Sequence, residues 1–126
     1  MKTKGSSEMT TEEVAQRFNE LAQQEKWFEI HDELFAEDVK SIEPSGSIYF
    51  NNAEGKQAVR TKGEDIVKRV KAFYGASTTA PIVAGDHFAV GRQLDIELDG
   101  HGRINMKEIM LYNVRKGKIT LEQFFY

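Results

Sequence analysis

The sequence predicts an α+β fold in which three N-terminal helices pack on a strongly curved, mixed or antiparallel sheet. Apolar residues recur at helical spacing in the first two-thirds of the chain, whereas the last third consists of strand-like segments cut by tight turns. Helices and antiparallel strands that are segregated along a chain are typical of α+β folds. Because long strands curl, we expect a cone-shaped half-barrel whose sheet and helices enclose a pocket.

A capping box marks the start of the first helix, with Thr10 as the N-cap and Glu13 reaching back to it. From there, apolar residues recur at helical spacing in three stretches. These stretches predict helices over about residues 10–24, 27–35 and 56–74. Gly63 lies within the third stretch, where it costs about 1 kcal/mol relative to alanine. It therefore either allows close packing or marks a break.

Short alternating or apolar segments between turn residues predict the strands. Two strong hairpin turns lie at Asp99–Gly102 and Arg115–Lys118, and another turn begins at Pro44. Residues 51–55 are predicted to form a loop. The predicted strands cover residues 39–43, 48–50, 82–83, 87–98, 103–115 and 118–126.

The length of 126 residues fits one ordinary domain. We expect a flexible N-terminal tail over residues 1–7 and a single domain over residues 8–126. Hydrophobic residues make up 40% and charged residues 29%, and the net charge of −3 argues against binding to nucleic acid. Basic residues do cluster between Arg60 and Lys71. Glu64 interrupts them, so we expect a solvated helix face.

The chain has no cysteine, which excludes disulfides, zinc–thiolate sites and thiol nucleophiles. No apolar run has the length of a membrane span, and none follows the N-terminal lysines as in a signal peptide. We therefore expect a cytoplasmic protein that does not bind membranes. We predict no metal and no cofactor, since no two histidines have metal-ligand spacing and no phosphate-binding loop is present.

The histidines are better explained by structure than by catalysis. His31 lies on the apolar face of the second helix, so we expect a hydrogen-bonded residue of the core or of the pocket rim. Asp86 and His87 are adjacent at the start of a strand. Because adjacent strand residues point to opposite faces, we do not expect these two to form a catalytic pair. His101 lies in a hairpin turn and should be solvated.

Three segments, taken in order, resemble one superfamily. They are Leu34–Pro44 (LFAEDVKSIEP), Glu54–Val59 (EGKQAV) and Gly117–Tyr126 (GKITLEQFFY). Together they resemble the SnoaL-like branch of the nuclear transport factor 2-like superfamily over nearly the whole chain. The resemblance implies a cystatin-like cone with a hydrophobic pocket. The superfamily includes isomerases, cyclases, dehydratases, binding proteins and association domains, so the fold alone leaves the function open.

The resemblance to ketosteroid isomerases, which belong to this superfamily, can be followed residue by residue. In those enzymes an aspartate directly before a proline at the end of this strand is the general base, and Glu43 before Pro44 matches it. Their phenol donor falls at about Phe18 and their protonated aspartate at about Met110. Neither side chain here can donate a hydrogen bond, so we do not expect steroid isomerisation by that mechanism.

Strand alternation predicts which other side chains face the pocket. If Met110 faces inward, so do Met106, Glu108 and Tyr112, and the resemblance places Glu122 where SnoaL-like cyclases often hold a histidine. Carboxylates in an apolar pocket should have raised pKa values, which suit acid–base catalysis near neutral pH. We therefore predict as catalytic residues Glu43, Glu108 and Glu122, and as ligand-binding residues Phe18, Trp27, His31, Phe35, Phe73, Met106, Met110, Tyr112 and Phe124.

Three functions fit this pattern. The first is an acid–base enzyme of isomerase, cyclase or dehydratase type that acts on an apolar small molecule with Glu43 as general base. The second is a binding protein with no turnover, and the third is a dimerisation or association module. Glu43 can instead be a solvated strand end, and a bulge can turn Glu108 or Glu122 outward. In all three cases we expect a homodimer through the outer face of the sheet, which carries Ile109 and Leu111.

Overall fold

The computed structural model describes residues 8–126, and the flexible tail predicted for residues 1–7 lies outside this range. Over the described residues there are three helices: α1 (Thr11–Ala22), α2 (Trp27–Leu34) and α3 (Lys56–Arg69). The strands are β1 (Phe35–Ile42), β2 (Ala53–Glu54), β3 (Val70–Thr78), β4 (Ile82–Ala84), β5 (His87–Leu98), β6 (Gly102–Arg115) and β7 (Lys118–Phe125). None of the helices between residues 8 and 126 is long and apolar enough to cross a membrane.

The strands form one sheet in the order β2–β1–β7–β6–β5–β3, and β4 also pairs with β5. Strand β1 runs parallel to β7, and the remaining pairs are antiparallel, so the sheet is mixed. The sheet is curved and does not close into a barrel, and the three helices pack on it. This architecture confirms the predicted α+β cone.

The third helix is shorter than predicted. It ends at Arg69, and residues 70–74, which we predicted as helix, begin strand β3. This strand pairs antiparallel with β5 from Val70 to Thr78. The apolar residues between 70 and 74 are compatible with a helix or a strand. The strand forms because its backbone N–H and C=O groups are satisfied by hydrogen bonds to β5. Phe73 therefore lies on a strand rather than on a helix.

The strand predicted at residues 48–50 does not form. The Ser47 hydroxyl accepts hydrogen bonds from the backbone N–H groups of Tyr49 and Phe50, at 3.3 and 3.4 Å, and this bonding competes with a strand ladder. Residues 53–54, predicted as loop, instead form β2 against β1. Strand β1 itself begins at Phe35 rather than at Val39.

Gly63 allows α3 to pack closely on α2. A Cβ atom at this position would lie 3.2 Å from Phe28 Cε1 and 3.4 Å from His31 Cε1. Helix α3 continues through the glycine without a break. Of the two roles that the sequence allows for Gly63, close packing is the one present.

The interior of the cone is packed with side chains at one end and hollow at the other. Phe18 of α1 is fully buried, and its ring centroid lies 5.1 Å from that of Phe88 and 4.7 Å from that of Tyr112. Aliphatic residues complete a hydrophobic core around these rings: Val14, Leu21, Ile30, Leu34, Val39, Val90, Val114 and Ile119. The region beneath α2 and α3 is left open, and this open end is where the ionisable side chains meet.

Candidate functional site

A cavity of about 570 Å³ lies between α2, α3 and the inner face of the sheet, and we call it the inner cavity. Most of its wall is apolar and includes Trp27, Phe28, Phe50, Val59, Ile66, Val67, Val70, Phe73, Leu94, Ile96, Met110 and Phe124. The charged side chains in the wall are Glu25, Glu29, Glu43, Lys62, Arg92, Glu108 and Glu122. An apolar wall with a few convergent polar groups is typical of small-molecule sites.

A second hollow, of about 490 Å³, lies on the outer side of the sheet beside Lys107, Ile109 and Phe125. Arg92 and Glu108 border both hollows. The wall of the outer hollow contains no acidic residue other than Glu108, whereas several carboxylates meet in the inner cavity. The inner cavity is therefore the candidate functional site.

Glu43 and Lys62 form a buried ion pair in the wall of the inner cavity. Lys62 Nζ donates to Glu43 Oε2 at 2.6 Å, and the side chains of Lys62 and Glu43 are 11% and 4% exposed. The other carboxylate oxygen, Oε1, accepts a hydrogen bond from the Tyr126 hydroxyl at 2.7 Å. Both oxygens of Glu43 are thus occupied by donors from the protein.

The residues that follow β1 hold Glu43 in place. Its backbone N–H donates to Asn52 Oδ1 at 2.7 Å. The Ser47 hydroxyl lies 2.6 Å from the hydroxyl of Tyr126, which in turn donates to Glu43. Pro44 has no N–H to continue a strand ladder. Strand β1 therefore ends just before a carboxylate that faces the inner cavity.

A chain of hydrogen bonds connects the ion pair to Glu122. Lys62 Nζ also donates to Ser41 Oγ at 2.8 Å, and the Ser41 hydroxyl donates to Glu122 Oε2 at 2.7 Å. Ser41 is fully buried and is paired with Glu122 in the parallel ladder between β1 and β7. Burial raises the pKa of Glu122 to about 7, although the hydrogen bond from Ser41 and the charge of Lys62 oppose the rise.

Glu108 differs from the other two carboxylates because no described residue donates a hydrogen bond to it. Burial raises the pKa of Glu108 to about 7; the charge of Arg92 opposes this rise, and the charges of Glu43 and Glu122 add to it. A carboxyl group with a pKa near 7 can both accept and release a proton at neutral pH. Its oxygens are free to approach a ligand.

Arg92 lies directly opposite Glu108 in the pairing of β5 with β6. Its guanidinium donates to both carboxylate oxygens of Glu25, at 2.9 and 3.1 Å, and lies 4.5 Å from the centroid of the Trp27 ring. The Trp27 indole N–H donates to the same carboxylate at 2.9 Å. Partial burial raises the pKa of Glu25, but the hydrogen bonds from Arg92 and Trp27 outweigh burial and leave this pKa below its ordinary value.

The wall of the inner cavity brings together these predicted site residues: Glu43, Glu108, Glu122, Trp27, His31, Phe73, Met110 and Phe124. Phe18, Phe35, Met106 and Tyr112 are buried but do not line it. Phe18 and Tyr112 belong to the core, the Phe35 ring packs on His31 at 4.5 Å, and Met106 is paired with Leu94. These four side chains are therefore part of the buried interior and not of the cavity wall.

Within residues 8–126, His31 is not hydrogen-bonded at Nδ1 as expected, and His87 contacts Asp86 although we expected the two side chains to point apart. His31 lines the inner cavity, but its Nδ1 is buried and has no hydrogen-bond partner among the described residues. Burial, with a smaller contribution from the Arg60 charge, lowers the pKa of His31 to about 4. His87 Nδ1 lies 2.8 Å from Asp86 Oδ1. Asp86 belongs to the turn before β5, so strand alternation does not apply to it.

Two cations of the cavity wall, Lys62 and Arg92, were not predicted from the sequence as site residues. Lys62 belongs to the basic stretch that we expected to be solvated, yet it is mostly buried. It shares the inner face of α3 with Val59 and Ile66, at spacings of three and four residues, which is the signal that could have identified it. Arg92 is likewise in phase with buried Val90 on β5. A charged residue at an inward position of an amphipathic element marks either a buried ion pair or a candidate site.

Comparison with known proteins gives a consistent family. The sequence profile of the SnoaL-like domain family matches residues 9–126. The structure is similar to that of a SnoaL-like protein of Mesorhizobium loti that carries two provisional names, polyketide cyclase and carbohydrate phosphatase. The two chains are 34% identical, the TM-score is 0.86, and the match covers 94% of this chain and 100% of that chain.

Two more distant structures share the fold. One is a protein with a cystatin-like fold from Xanthomonas campestris, with 16% identity, a TM-score of 0.75 and coverage of 93% of this chain and 90% of that chain. The other is a protein with a ketosteroid isomerase-like fold from Catenulispora acidiphila, solved in complex with trimethylamine. It is 17% identical, with a TM-score of 0.63 and coverage of 77% of this chain and 72% of that chain. The comparison with curated proteins finds no match.

Removal of one partner of the buried ion pair should be strongly destabilising. In Lys62→Met, Glu43 is left without its cation, and we expect the free energy of unfolding to fall by about 3 kcal/mol or more. In the double variant Glu43→Gln/Lys62→Met no unpaired charge remains, so the loss should be smaller than the sum of the single losses. Urea denaturation of the wild-type protein, Lys62→Met, Glu43→Gln and the double variant measures both effects.

Lys71→Met provides the matched control, because Lys71 and Asp99 form an exposed pair at 3.8 Å. Exposed pairs contribute about 1 kcal/mol or less. A Lys62→Met variant no less stable than Lys71→Met would contradict a buried, mutually dependent pair.

Proposed function

Because the chain belongs to the SnoaL-like domain family, we propose that it binds an apolar small molecule in the inner cavity and acts on it by proton transfer. The reaction is of isomerase, cyclase or dehydratase type. One observation carries the proposal: Glu43, Glu108 and Glu122 converge on a single, largely apolar cavity. Carboxyl groups with pKa values near neutrality in a cleft are candidates for acid–base catalysis. Of the two provisional names of the Mesorhizobium loti protein, polyketide cyclase belongs to the same class of chemistry and carbohydrate phosphatase does not.

In this proposal Glu108 exchanges the proton with the substrate. Its pKa of about 7 supplies both protonation states at neutral pH, and no described residue occupies its oxygens. Glu43, the base expected from the isomerase resemblance, has its oxygens engaged by Lys62 and Tyr126. If Glu43 accepted a proton, the buried ammonium of Lys62 would lose its counter-charge, which costs free energy. Glu43 is therefore the alternative base, and its main role is to balance the charge of Lys62 in the cavity wall.

The second candidate is a binding protein with the same cavity and no turnover. It is favoured by the loss of both isomerase donor positions, since Phe18 lies in the core and Met110 presents a thioether to the cavity. An association module would need no cavity at all, and the inner cavity therefore favours the first two functions over it.

Deuterium exchange tests the proton-transfer proposal. The protein is incubated in D₂O with apolar, enolisable ketones, and the loss of the α-proton signal is followed by proton NMR. Glu108→Gln should lower the exchange rate about a hundredfold or more. Glu43→Gln should lower it much less, and Glu37→Gln, an exposed control on β1, not at all. The wild-type rate should rise as pH increases through about 7, because only ionised Glu108 accepts a proton.

Two results would contradict this assignment. If Glu43→Gln is folded by circular dichroism but stops the exchange, and Glu108→Gln does not stop it, Glu43 is the base. If ketones bind to the wild-type protein without any catalysed exchange, the binding-protein candidate replaces the enzyme.

We also propose a homodimer through the outer face of the sheet. Ile109 and Phe125 are paired across β6 and β7, and they are 51% and 47% exposed. Exposed apolar side chains that are contiguous favour an interface. Light scattering should give a dimer mass for the wild-type protein and a monomer mass for Ile109→Lys, while Glu37→Gln stays dimeric. A monomeric wild-type protein would exclude the homodimer.

A further inference from the structure

The proposed chemistry requires a group that stabilises negative charge on the substrate. Removal of a proton next to a carbonyl group places negative charge on the carbonyl oxygen, and a positioned donor at that oxygen lowers the barrier. The positions of the isomerase donors hold Phe18 and Met110 in this chain. Two cations in the wall of the inner cavity, Lys62 and Arg92, can stabilise this negative charge.

Lys62 has little capacity left for a ligand. Two of its three ammonium hydrogens are used by Glu43 Oε2 and Ser41 Oγ, and Nζ lies 5.1 Å from the centroid of the Phe124 ring. Glu43 balances its charge at 2.6 Å. A substrate oxygen at Lys62 would have to compete with a charge-assisted hydrogen bond inside the protein.

Arg92 retains free donors. Its Nη1 donates to Glu25 Oε2 and Thr78 Oγ1, and its Nη2 donates to Glu25 Oε1. A guanidinium has five N–H groups, so the Nε–H and one Nη2–H remain, and no described residue accepts a hydrogen bond from them. The Arg92 side chain is only 9% exposed and lines the inner cavity. A ligand is the natural acceptor for these donors.

The surroundings of Arg92 hold its guanidinium in one position. Glu25 and Thr78 bind it, and the Trp27 ring covers it. Glu25 has a φ of 57°, which is the left-handed region and is unfavourable by about 1 kcal/mol or more for a residue with a side chain. Glu25 follows the end of α1, where the Lys26 N–H donates to the Leu21 carbonyl at 3.0 Å, so this conformation belongs to the helix C-cap and fixes where the Glu25 side chain starts. A fixed donor stabilises developing charge without first having to reorient.

We propose that Arg92 is the electrophilic anchor of the inner cavity and that the substrates are apolar molecules with an enolisable carbonyl group. The carbonyl oxygen accepts hydrogen bonds from the free donors of Arg92. Arg92 and Glu108 are directly opposite each other on β5 and β6, and the Cβ atoms of such a pair lie about 5 Å apart. When the carbonyl oxygen is bound to Arg92, the α-carbon of the ligand therefore lies on the side of Glu108.

The proton-transfer step then balances within the site. The α C–H bond breaks, the proton passes to the Glu108 carboxylate, and the electron pair moves to the carbonyl oxygen, where Arg92 stabilises the enolate. Return of the proton to another carbon of the conjugated system gives an isomer. This step rests on the proposed function, whereas the anchoring of the carbonyl group by Arg92 can be measured without any turnover.

A pair of probes that differ in one oxygen tests the anchor. These are 2-acetylnaphthalene and 2-ethylnaphthalene, and titration calorimetry gives the affinity of each. The wild-type protein should prefer the ketone about tenfold or more, which is the discrimination that one hydrogen bond to a charged donor supplies. Arg92→Met should bind the two probes equally, and Arg92→Lys should keep only part of the preference, since an ammonium lacks the planar fork.

Arg103→Met is the matched control, because Arg103 makes a similar two-bond pair with Asp95, at 3.0 and 2.9 Å, on the surface. It should keep the full preference for the ketone. If Arg92→Met does not fold because Glu25 loses its partner, the double variant Glu25→Gln/Arg92→Met provides the same measurement without an unpaired carboxylate.

The outcomes separate the anchor from the proton transfer. Loss of the ketone preference in Arg92→Met, with the preference retained in Glu108→Gln, supports the anchor. An unchanged preference in Arg92→Met, or no preference or no binding in the wild-type protein, overturns it. If Glu108→Gln stops the exchange of the acetyl protons while Arg92→Met keeps the preference, only the anchor is wrong. If the preference depends on Arg92 but the wild-type protein exchanges no acetyl protons, the anchor stands and the proposed proton transfer is wrong.

Discussion

The ion pair between Glu43 and Lys62 is the interaction on which the polar side of the inner cavity depends. An unpaired charge facing this apolar space would be strongly destabilising. Lys62 compensates Glu43 at 2.6 Å and connects through Ser41 to Glu122. Glu108 has no such connection, and burial raises its pKa, like that of Glu122, to about 7. Two balanced pairs, Glu43 with Lys62 and Glu25 with Arg92, and two carboxyl groups that retain protons near neutrality limit the charge of the wall.

The cavity exists because the helices fill the cone unevenly. Helix α1 contributes Phe18 to a close aromatic cluster, which packs one end of the interior completely. Helix α3 packs on α2 through Gly63, and from that position it delivers Lys62 to the end of β1, where Glu43 lies. The packed end stabilises the fold, and the open end leaves room for a ligand beside Glu108.

Local patterns made most of the fold predictable. The capping box at Thr10 is present, and β5 has the predicted bounds. The errors arise where a contact distant in sequence decides the structure, as at residues 70–74, whose pairing with β5 turns a predicted helix end into strand. The site was less predictable for the same reason. Glu108 and Tyr112 have the same strand phase, but only Glu108 meets the cavity, because α1 fills the space at Tyr112.

The protonation of the cavity wall is the property that connects the fold with the proposed chemistry. It is measured most directly by carbon-13 NMR titration of the glutamate carboxyl groups, with the two signals assigned from their loss in Glu108→Gln and Glu122→Gln. The structure leads us to expect that both signals titrate near pH 7. If both instead titrate below pH 5, these side chains are not held in an apolar, water-poor cavity, and the account of the site is wrong.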